Sequence, residues 1–317
     1  MKIQMIEETK KAGNMLSVIK ECGIFMLLFV AASTLQSIVT IGPMLYEMVS
    51  SGFINKMMEN SINGSYSNIM EMALEIMSSD IVVIATFFST IAIIGVIIFY
   101  CRKIRKRSYA SMGIVREKWG SSYLLGILYG LAFLCAVYGG LALFGCVETV
   151  EVGSFKPVII VIIIGIIIQS ASEEIMMRGY FMNAVAAKSS IIIAIILNSV
   201  IFMFLHVVNP GVTVLSLVNI LIYGVIFSLL CLVTDNIWVV CGMHFSWNAA
   251  LGCLFGSNIS GINTPTIFRF VLSGEDYITG GNFGIEGSII TTFIGVAIVL
   301  FLSWRLYNRK LIGDANV

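Results

Sequence analysis

The sequence predicts an all-α fold, a polytopic membrane helical bundle with about eight transmembrane helices. Three observations predict it. Of the 317 residues, 58% are hydrophobic and only 12% are charged, whereas a soluble domain carries roughly 25% charged residues. The apolar residues lie in runs of about 20, the length of a helix that crosses a bilayer. The basic residues gather in particular loops between these runs.

Eight apolar runs are long enough to be candidate spans. They cover residues 23–45, 81–100, 122–145, 158–172 and onward, 191–208, 212–233, 237–255 and 288–307. An even number of spans places both termini on the same side of the membrane. We therefore expect a multi-pass integral protein, surrounded by the lipid bilayer, in the plasma membrane.

The charges in the loops predict which side is cytoplasmic. Residues 101–118, "CRKIRKRSYASMGIVREK", carry most of the cationic charge, and "RLYNRK" follows the last span. By the positive-inside rule both segments are cytoplasmic, so the N and C termini are cytoplasmic as well. Residues 47–80, with five acids and one lysine, and residues 256–287 then lie outside.

The organisation of the chain follows from these spans. We predict an N-terminal membrane region, 1–156, with three spans and the basic loop 101–118, then a core at 157–255, and an outer loop, last span and cytoplasmic tail at 256–317. The sequence shows no repeat or linker, so the three regions form one integrated membrane domain. A net charge of +1 without a basic face excludes nucleic acid as a partner. Gly126 and Gly130 form a GxxxG pattern, which predicts close helix packing.

Polar residues inside the spans are the candidate functional residues. Among 18 acidic residues, only Glu173 and Glu174 interrupt an apolar stretch, and His206 and His244 are the only histidines. An ionisable side chain at membrane depth costs about 2.5 kcal/mol or more, and such groups usually face a cavity and act there. The alternative is a purely structural role, in which they hydrogen-bond neighbouring helices.

Helical geometry predicts different roles for the two glutamates. Glu174 and Arg178 are four residues apart, so they can form an ion pair on one face of the helix. Glu173 points about 100° away and has no local cation, which suits a general base. His244 and Asn248 also share a helix face, where their N–H groups can stabilise an oxyanion.

The depths of these residues allow them to meet. If the chain turns near Ser189, Glu173 and His206 both lie roughly 25 Å from the turn. His244 lies only about 13 Å from the turn at Asp235. All the polar groups then share a level only if the hairpin from Arg178 to Ser190 extends about 10 Å beyond the lipid boundary.

Three motifs now carry a resemblance to a known family. "EEIMMR" reads as EExxxR, "FMFLH" as FxxxH ending at His206, and "HFSWN" as HxxxN from His244 to Asn248. In this order and spacing, residues 157–255 resemble the CPBP intramembrane proteases. That family comprises type II CAAX prenyl endopeptidases and bacteriocin-processing or bacteriocin-immunity proteins.

The resemblance implies proteolysis without a covalent intermediate. Glu173 with His206 would activate a water, His244 with Asn248 would stabilise the oxyanion, and Glu174 with Arg178 would support the site. The substrate would be a peptide or membrane protein, such as a CAAX tail or a leader peptide, cut near the cytoplasmic face. No cofactor is expected. Zn²⁺ is the alternative, with His206, His244 and Glu173 as ligands, but an amide such as Asn248 suits oxyanion binding better.

Two other functions stay open at this point. A member of the same family could act without catalysis, as a membrane immunity or scaffold protein. A proton-coupled transporter could also use a buried Glu and His as a relay. Transporters of this kind commonly show internal repeats or paired broken helices, and the sequence shows neither.

Overall fold

The computed structural model describes residues 3–13, 15–62, 69–153 and 155–308. Within these ranges, seven helical segments are long and apolar enough to cross a membrane. They are Val18–Ser50, Asp80–Ile104, Trp119–Leu143, Val158–Lys188, Val214–Thr234, Ile237–Leu254 and Ile289–Asn308. The predicted helical bundle and the multi-pass membrane protein are therefore confirmed. The basic tail after Asn308 lies outside the described residues.

The predicted span at 191–208 is shorter than the sequence suggested. Its helix covers Ile191–Phe204 only, 14 residues, or about 21 Å, whereas the apolar part of a bilayer is about 30 Å thick. The chain turns after the helix, through Pro210 and through Gly211 at a positive φ of 70°. This helix therefore passes only part of the way through the bundle.

The N-terminal region is helical on both sides of its basic loop. Its elements are α1 (Gln4–Lys11), α2 (Val18–Ser50), α3 (Phe53–Ile62), α4 (Ile69–Met77), α5 (Asp80–Ser89), α6 (Ile91–Phe99) with a π-helical end at Tyr100–Ile104, a 3₁₀ turn at Ala110–Met112, and α7 (Trp119–Leu143). A short strand, β1 (Val147–Val152), leads to the core.

The core and the C-terminal region continue this pattern. They comprise α8 (Val158–Glu174), a π-helical segment (Ile175–Met182), α9 (Asn183–Lys188), α10 (Ile191–Phe204), α11 (Val214–Thr234), α12 (Ile237–Ala249) with a π-helical end at Ala250–Leu254, β2 (Phe268–Leu272), α13 (Asp276–Thr279), two 3₁₀ turns at Gly281–Phe283 and Ile285–Gly287, and α14 (Ile289–Asn308). β1 and β2 pair antiparallel in a two-stranded sheet, the one addition to the all-α prediction among the described residues.

The loops gather on two opposite faces. The first, which we call the basic face, contains α1, residues 105–118, the turn at 189–190 and Asp235. Asp235 connects the start of α12 to α1 on this face, because its carboxylate accepts hydrogen bonds from the backbone N–H groups at the start of α1. The second, the acidic face, contains residues 51–62 and 69–79, the sheet, residues 205–213 and residues 256–288. Asn209, for example, donates to the carbonyl of Ser260 at 3.1 Å.

Close packing of α7 against α12 fixes the helix that carries His244. A Cβ on Gly126 would overlap the carbonyl oxygen of Val239, and one on Gly130 would lie 2.5 Å from that of Met243. Glycine is therefore required at both positions for the two backbones to approach this closely. The GxxxG pattern acts in helix packing, as predicted.

Candidate active site

Glu174 and Arg178 form a closed ion pair in the middle of the bundle. Arg178 donates from Nη1 to Glu174 Oε1 at 3.0 Å, and both side chains are fully buried. The guanidinium carbon lies 4.6 Å from the centre of the Phe202 ring and 5.3 Å from that of Phe227. The predicted i, i+4 pair is thus present, held between two aromatic faces that favour a cation.

The other two nitrogen atoms of the Arg178 guanidinium also donate hydrogen bonds. Nη2 donates to the carbonyl of Gly224 at 3.2 Å. The side-chain amide of Asn198 is oriented with its oxygen towards the neighbouring donors. In this orientation Asn198 Oδ1 accepts from Arg178 Nε at 3.3 Å and from Ser228 Oγ at 2.9 Å. A buried guanidinium that donates from all three of its nitrogen atoms stabilises its surroundings rather than taking part in chemistry. Asn198 belongs to this hydrogen-bonded set.

A π-helical segment, Ile175–Met182, follows the two glutamates, and all eight of its residues are buried. Such segments widen the helix locally and are frequent at functional sites. Arg107 from the basic loop donates to the carbonyls of Gly179 and Tyr180 at 3.0 and 3.2 Å. The basic loop therefore holds the widened turn from the basic face.

His244 lies between the two glutamates. Its Nδ1 lies 2.9 Å from Glu174 Oε1, and its ring stacks on Phe227 with 5.2 Å between the ring centres. Its Nε2 lies 3.9 Å from Glu173 Oε2, too far for a direct hydrogen bond. The carboxylate of Glu174 accepts from Nδ1–H, which directs Nε2 towards Glu173.

Glu173 differs from Glu174 in exposure and in partners. Its side chain is 22% exposed, against 0% for Glu174. Oε1 accepts from Gln169 Nε2 at 2.6 Å, while Oε2 has no hydrogen-bond partner within the described part of the chain. Gln169 Oε1 in turn accepts from Asn248 Nδ2 at 3.2 Å. Gln169 therefore links α8 to α12 and fixes the carboxylate in the position from which it faces His244.

One cavity of about 290 Å³ brings the predicted residues together. Glu173, His206, His244 and Asn248 all line it. His206 lies just beyond the end of α10, with Nδ1 2.8 Å from the carbonyl of Phe202. The sequence predicted α10 as a full span that includes His206, but the helix ends at Phe204 and places His206 in a turn at the cavity wall.

Glu286, which no sequence pattern indicated, lines the same cavity. It is 4% exposed, and its Oε1 accepts from Trp247 Nε1 at 3.0 Å. Its Oε2 accepts from both N–H and Oγ of Ser260, at 2.7 and 2.9 Å. Glu286 precedes the last span in a segment predicted to be an outer loop, so a search for charges inside apolar runs passes over it.

The described residues contain no preformed group of metal ligands. Over the described ranges, no three His, Cys, Asp or Glu side chains converge as ligands. In the set named for zinc, Nδ1 of His244 is used on Glu174 and Nε2 lies 3.9 Å from Glu173 Oε2, and no third ligand converges with this pair in the described part of the chain.

One known family model matches the core of the chain. Residues 155–250 match the family model described as Type II CAAX prenyl endopeptidase Rce1-like. The matched segment is less than a third of the chain and contains all three motifs. It confirms the resemblance to the CAAX prenyl endopeptidases, a protease family, and does not single out the bacteriocin group. Among curated proteins, none matches the chain.

Proposed function

We propose that this protein is an intramembrane endopeptidase in which Glu173 is the general base. The observation that carries the proposal is the contrast between two adjacent glutamates. Glu174 is fully buried and ion-paired with Arg178, while Glu173 has a side chain that is 22% exposed, lines the cavity and lies beside His244. A carboxylate that lines a cavity and has no ion-pair partner is placed to take a proton from a bound water.

The chemistry then balances without a covalent intermediate. Glu173 takes one proton from water, and the oxygen attacks the carbonyl carbon of the peptide bond. The proton passes to the amide nitrogen as the C–N bond breaks, so the products are a new carboxylate and a new amine. His206, on the same cavity wall, would hold the water together with Glu173.

The oxyanion would be stabilised by His244 and Asn248. Because Nδ1 of His244 donates to Glu174, donation from Nε2 requires the ring to carry both protons, which two nearby carboxylates favour. The amide of Asn248 has two N–H groups, and only one is needed for Gln169. Fixed donors of this kind contribute about 10²–10³ in rate.

Glu286 would support these residues. Its carboxylate accepts hydrogen bonds from Trp247, the neighbour of Asn248, and from Ser260, and so connects α12 to the segment that contains Ser260. Through Asn209, which donates to the Ser260 carbonyl, this segment also reaches the turn that contains His206. We assign Glu286 a positioning role.

The test compares membranes from cells that produce the wild-type protein, Glu173→Gln or Glu151→Gln. Glu151 is an exposed glutamate on β1 and serves as the matched control. We expect at least one new peptide C-terminus in the wild-type and Glu151→Gln samples that is lost with Glu173→Gln. Identical C-termini in all three samples, at equal protein levels, would refute proteolysis and leave a non-catalytic or transport role.

A further inference from the structure

The catalytic cavity lies towards the acidic face. α10 begins at the basic-face turn and ends at Phe204. Beyond it, the wall of the cavity consists of acidic-face segments. These residues are Leu205, His206, Asn209, Ile259, Ser260, Ile262 and Glu286. Segments that connect helices on the acidic face therefore enter the bundle and reach the catalytic residues.

The path to the basic face is closed by packed protein. Every residue from Ile175 to Ala187 is buried, and these residues continue from Glu174 to the basic face. Around them, Glu21 accepts from Arg105 at 2.7 Å and from the Tyr180 hydroxyl at 3.0 Å. Arg107, 2% exposed, fills the remaining space. A peptide could reach Glu173 from this side only by breaking these contacts.

Polar side chains instead mark a path towards the acidic face. On α2, Ser33 and Gln36 line the catalytic cavity, and Thr40, one turn further along, lines a second cavity of about 100 Å³. The two cavities share Thr86, Phe87 and Ile262 as lining residues. The second continues to Ser78 and Pro210 on the acidic face.

The path is suited to an extended peptide. An extended chain brings unpaired N–H and C=O groups into the membrane, where each costs several kcal/mol unless it finds a partner. The hydroxyl and amide groups of Ser33, Gln36, Thr40 and Thr86 provide partners along the path. α2 is also the least buried of the seven spanning segments, with 11% of its most apolar window buried, so one wall of the path is held by few neighbours.

The distribution of charge identifies the side of the membrane on which the acidic face lies. Residues 101–118, which lead into and form part of the basic face, contain seven basic residues and one acid, whereas residues 47–80 contain one basic residue and five acids. By the positive-inside rule the acidic face is extracytoplasmic.

We propose that the substrate reaches Glu173 from the extracytoplasmic side, along α2, as an extended peptide segment on the outer face of the membrane. The substrate would then be part of an exported or membrane protein and not a cytosolic C-terminal tail. This revises the expectation of cleavage near the cytoplasmic face. The proposal rests on the proposed function for its substrate, but the access path can be tested without any substrate.

The experiment measures the accessibility of single cysteines to a charged, membrane-impermeant maleimide. All variants are made in a background in which the seven native cysteines are replaced by alanine. Gln36→Cys reports on the path. Ile38→Cys, on the same helix and 65% exposed on the outside of the bundle, is the matched lipid-facing control. Tyr277→Cys and Tyr109→Cys, both at exposed positions, mark the acidic and basic faces.

In intact cells, we expect labelling of Gln36→Cys and Tyr277→Cys but not of Tyr109→Cys or Ile38→Cys. In inverted vesicles, we expect labelling of Tyr109→Cys, with Gln36→Cys reacting at least about 10-fold more slowly than in cells. The proposal is overturned if Gln36→Cys follows Tyr109→Cys, if it stays as unreactive as Ile38→Cys, or if Tyr277→Cys reacts only in inverted vesicles.

These outcomes separate the access path from the chemistry. Labelling as expected, together with cleavage that does not depend on Glu173, would contradict the proposed protease function and support the proposed access path from the acidic face. Labelling of Gln36→Cys from the basic face, together with cleavage that requires Glu173, would support the proposed protease function and contradict the proposal that the substrate arrives from the extracytoplasmic side.

Discussion

Two buried polar clusters in this protein contain similar residues and differ in their spare hydrogen-bonding capacity. In the cluster on the basic face, both oxygens of Glu21 are bonded, and Arg107 donates five hydrogen bonds to hydroxyls and carbonyls. In the cavity cluster, Glu173 keeps one oxygen unpaired and lies 3.9 Å from His244. Burial of charge therefore does not by itself indicate a reaction site.

The difference shows what each cluster can do. A buried charge that is ion-paired holds helices together, and loss of its partner leaves an uncompensated charge. An ionisable group that lines a cavity and has no ion-pair partner can act on a further molecule there. Glu174, which is fully buried and paired with Arg178, belongs to the first kind, and Glu173, which lines the cavity, belongs to the second. The two residues are adjacent in sequence.

The largest predicted effect on stability comes from Arg178→Met. The variant leaves Glu174 buried without its cation, which costs about 3–5 kcal/mol in the free energy of unfolding. Thermal unfolding in detergent would show a lower midpoint than for Lys103→Met, which removes an exposed cation. Equal midpoints for the two variants would mean that the Glu174–Arg178 pair does not hold the fold.

The next largest effects fall on activity. His244→Ala and Asn248→Ala should each lower the cleavage rate by about 10²–10³, the usual value of an oxyanion donor. Asn198→Ala is the comparison, since this amide lies outside the cavity lining and bonds Arg178. It should lower the unfolding midpoint, with a smaller loss of rate per folded molecule. A loss of rate with Asn198→Ala as large as with Asn248→Ala would contradict the distinction between oxyanion donors and residues that only support the ion pair.

Much of the fold could be predicted from the sequence because hydropathy and charge act locally. The apolar runs indicated the spans, and the i, i+4 spacing of Glu174 and Arg178 indicated their ion pair, which the structure contains. The length of α10 could not be predicted, because an apolar run continues to Val208 while the helix ends at Phe204. The sheet also escaped prediction, since its strands pair across more than 100 residues.

The site was predicted in its members and only partly in its contacts. The spacing of His244 and Asn248 placed them on one helix face, but it could not show that Gln169 connects Asn248 to Glu173. Glu286 depends on a loop that folds back into the bundle, and no local pattern encodes that contact. Contacts between distant segments are the part that required the structure.

Glu286→Gln tests whether this carboxylate titrates as a buried group. Burial raises the pKa of Glu286, and hydrogen bonds from Trp247 and Ser260 oppose the rise. The folded protein then holds this proton at a higher pH than the unfolded chain does. Stability should therefore fall as pH rises from about 4.3, the ordinary value for Glu, through the raised pKa.

Unfolding midpoints measured between pH 4 and pH 8 should show a weaker fall for Glu286→Gln than for the wild-type protein. The same pH dependence in both would show that Glu286 does not contribute it.

The smallest expected effect is that of a chelator. The proposed reaction uses protein groups alone, and no three metal ligands converge in the described part of the chain, so purified protein should keep its cleavage rate after prolonged treatment with a strong chelator. Loss of activity that added Zn²⁺ alone restores would contradict this and would favour His206, His244 and Glu173 as ligands.

The most direct test compares Glu173→Gln and Glu174→Gln in the same preparations, with both the cleavage rate and the unfolding midpoint measured for each. We predict that Glu173→Gln keeps the wild-type midpoint and loses about 100-fold or more in rate, the scale of a positioned base. Glu174→Gln should lower the midpoint, because Arg178 loses its charge partner. Cleavage at the wild-type rate by Glu173→Gln, or a fall in the midpoint for Glu173→Gln but not for Glu174→Gln, would contradict the division between a reactive and a structural glutamate.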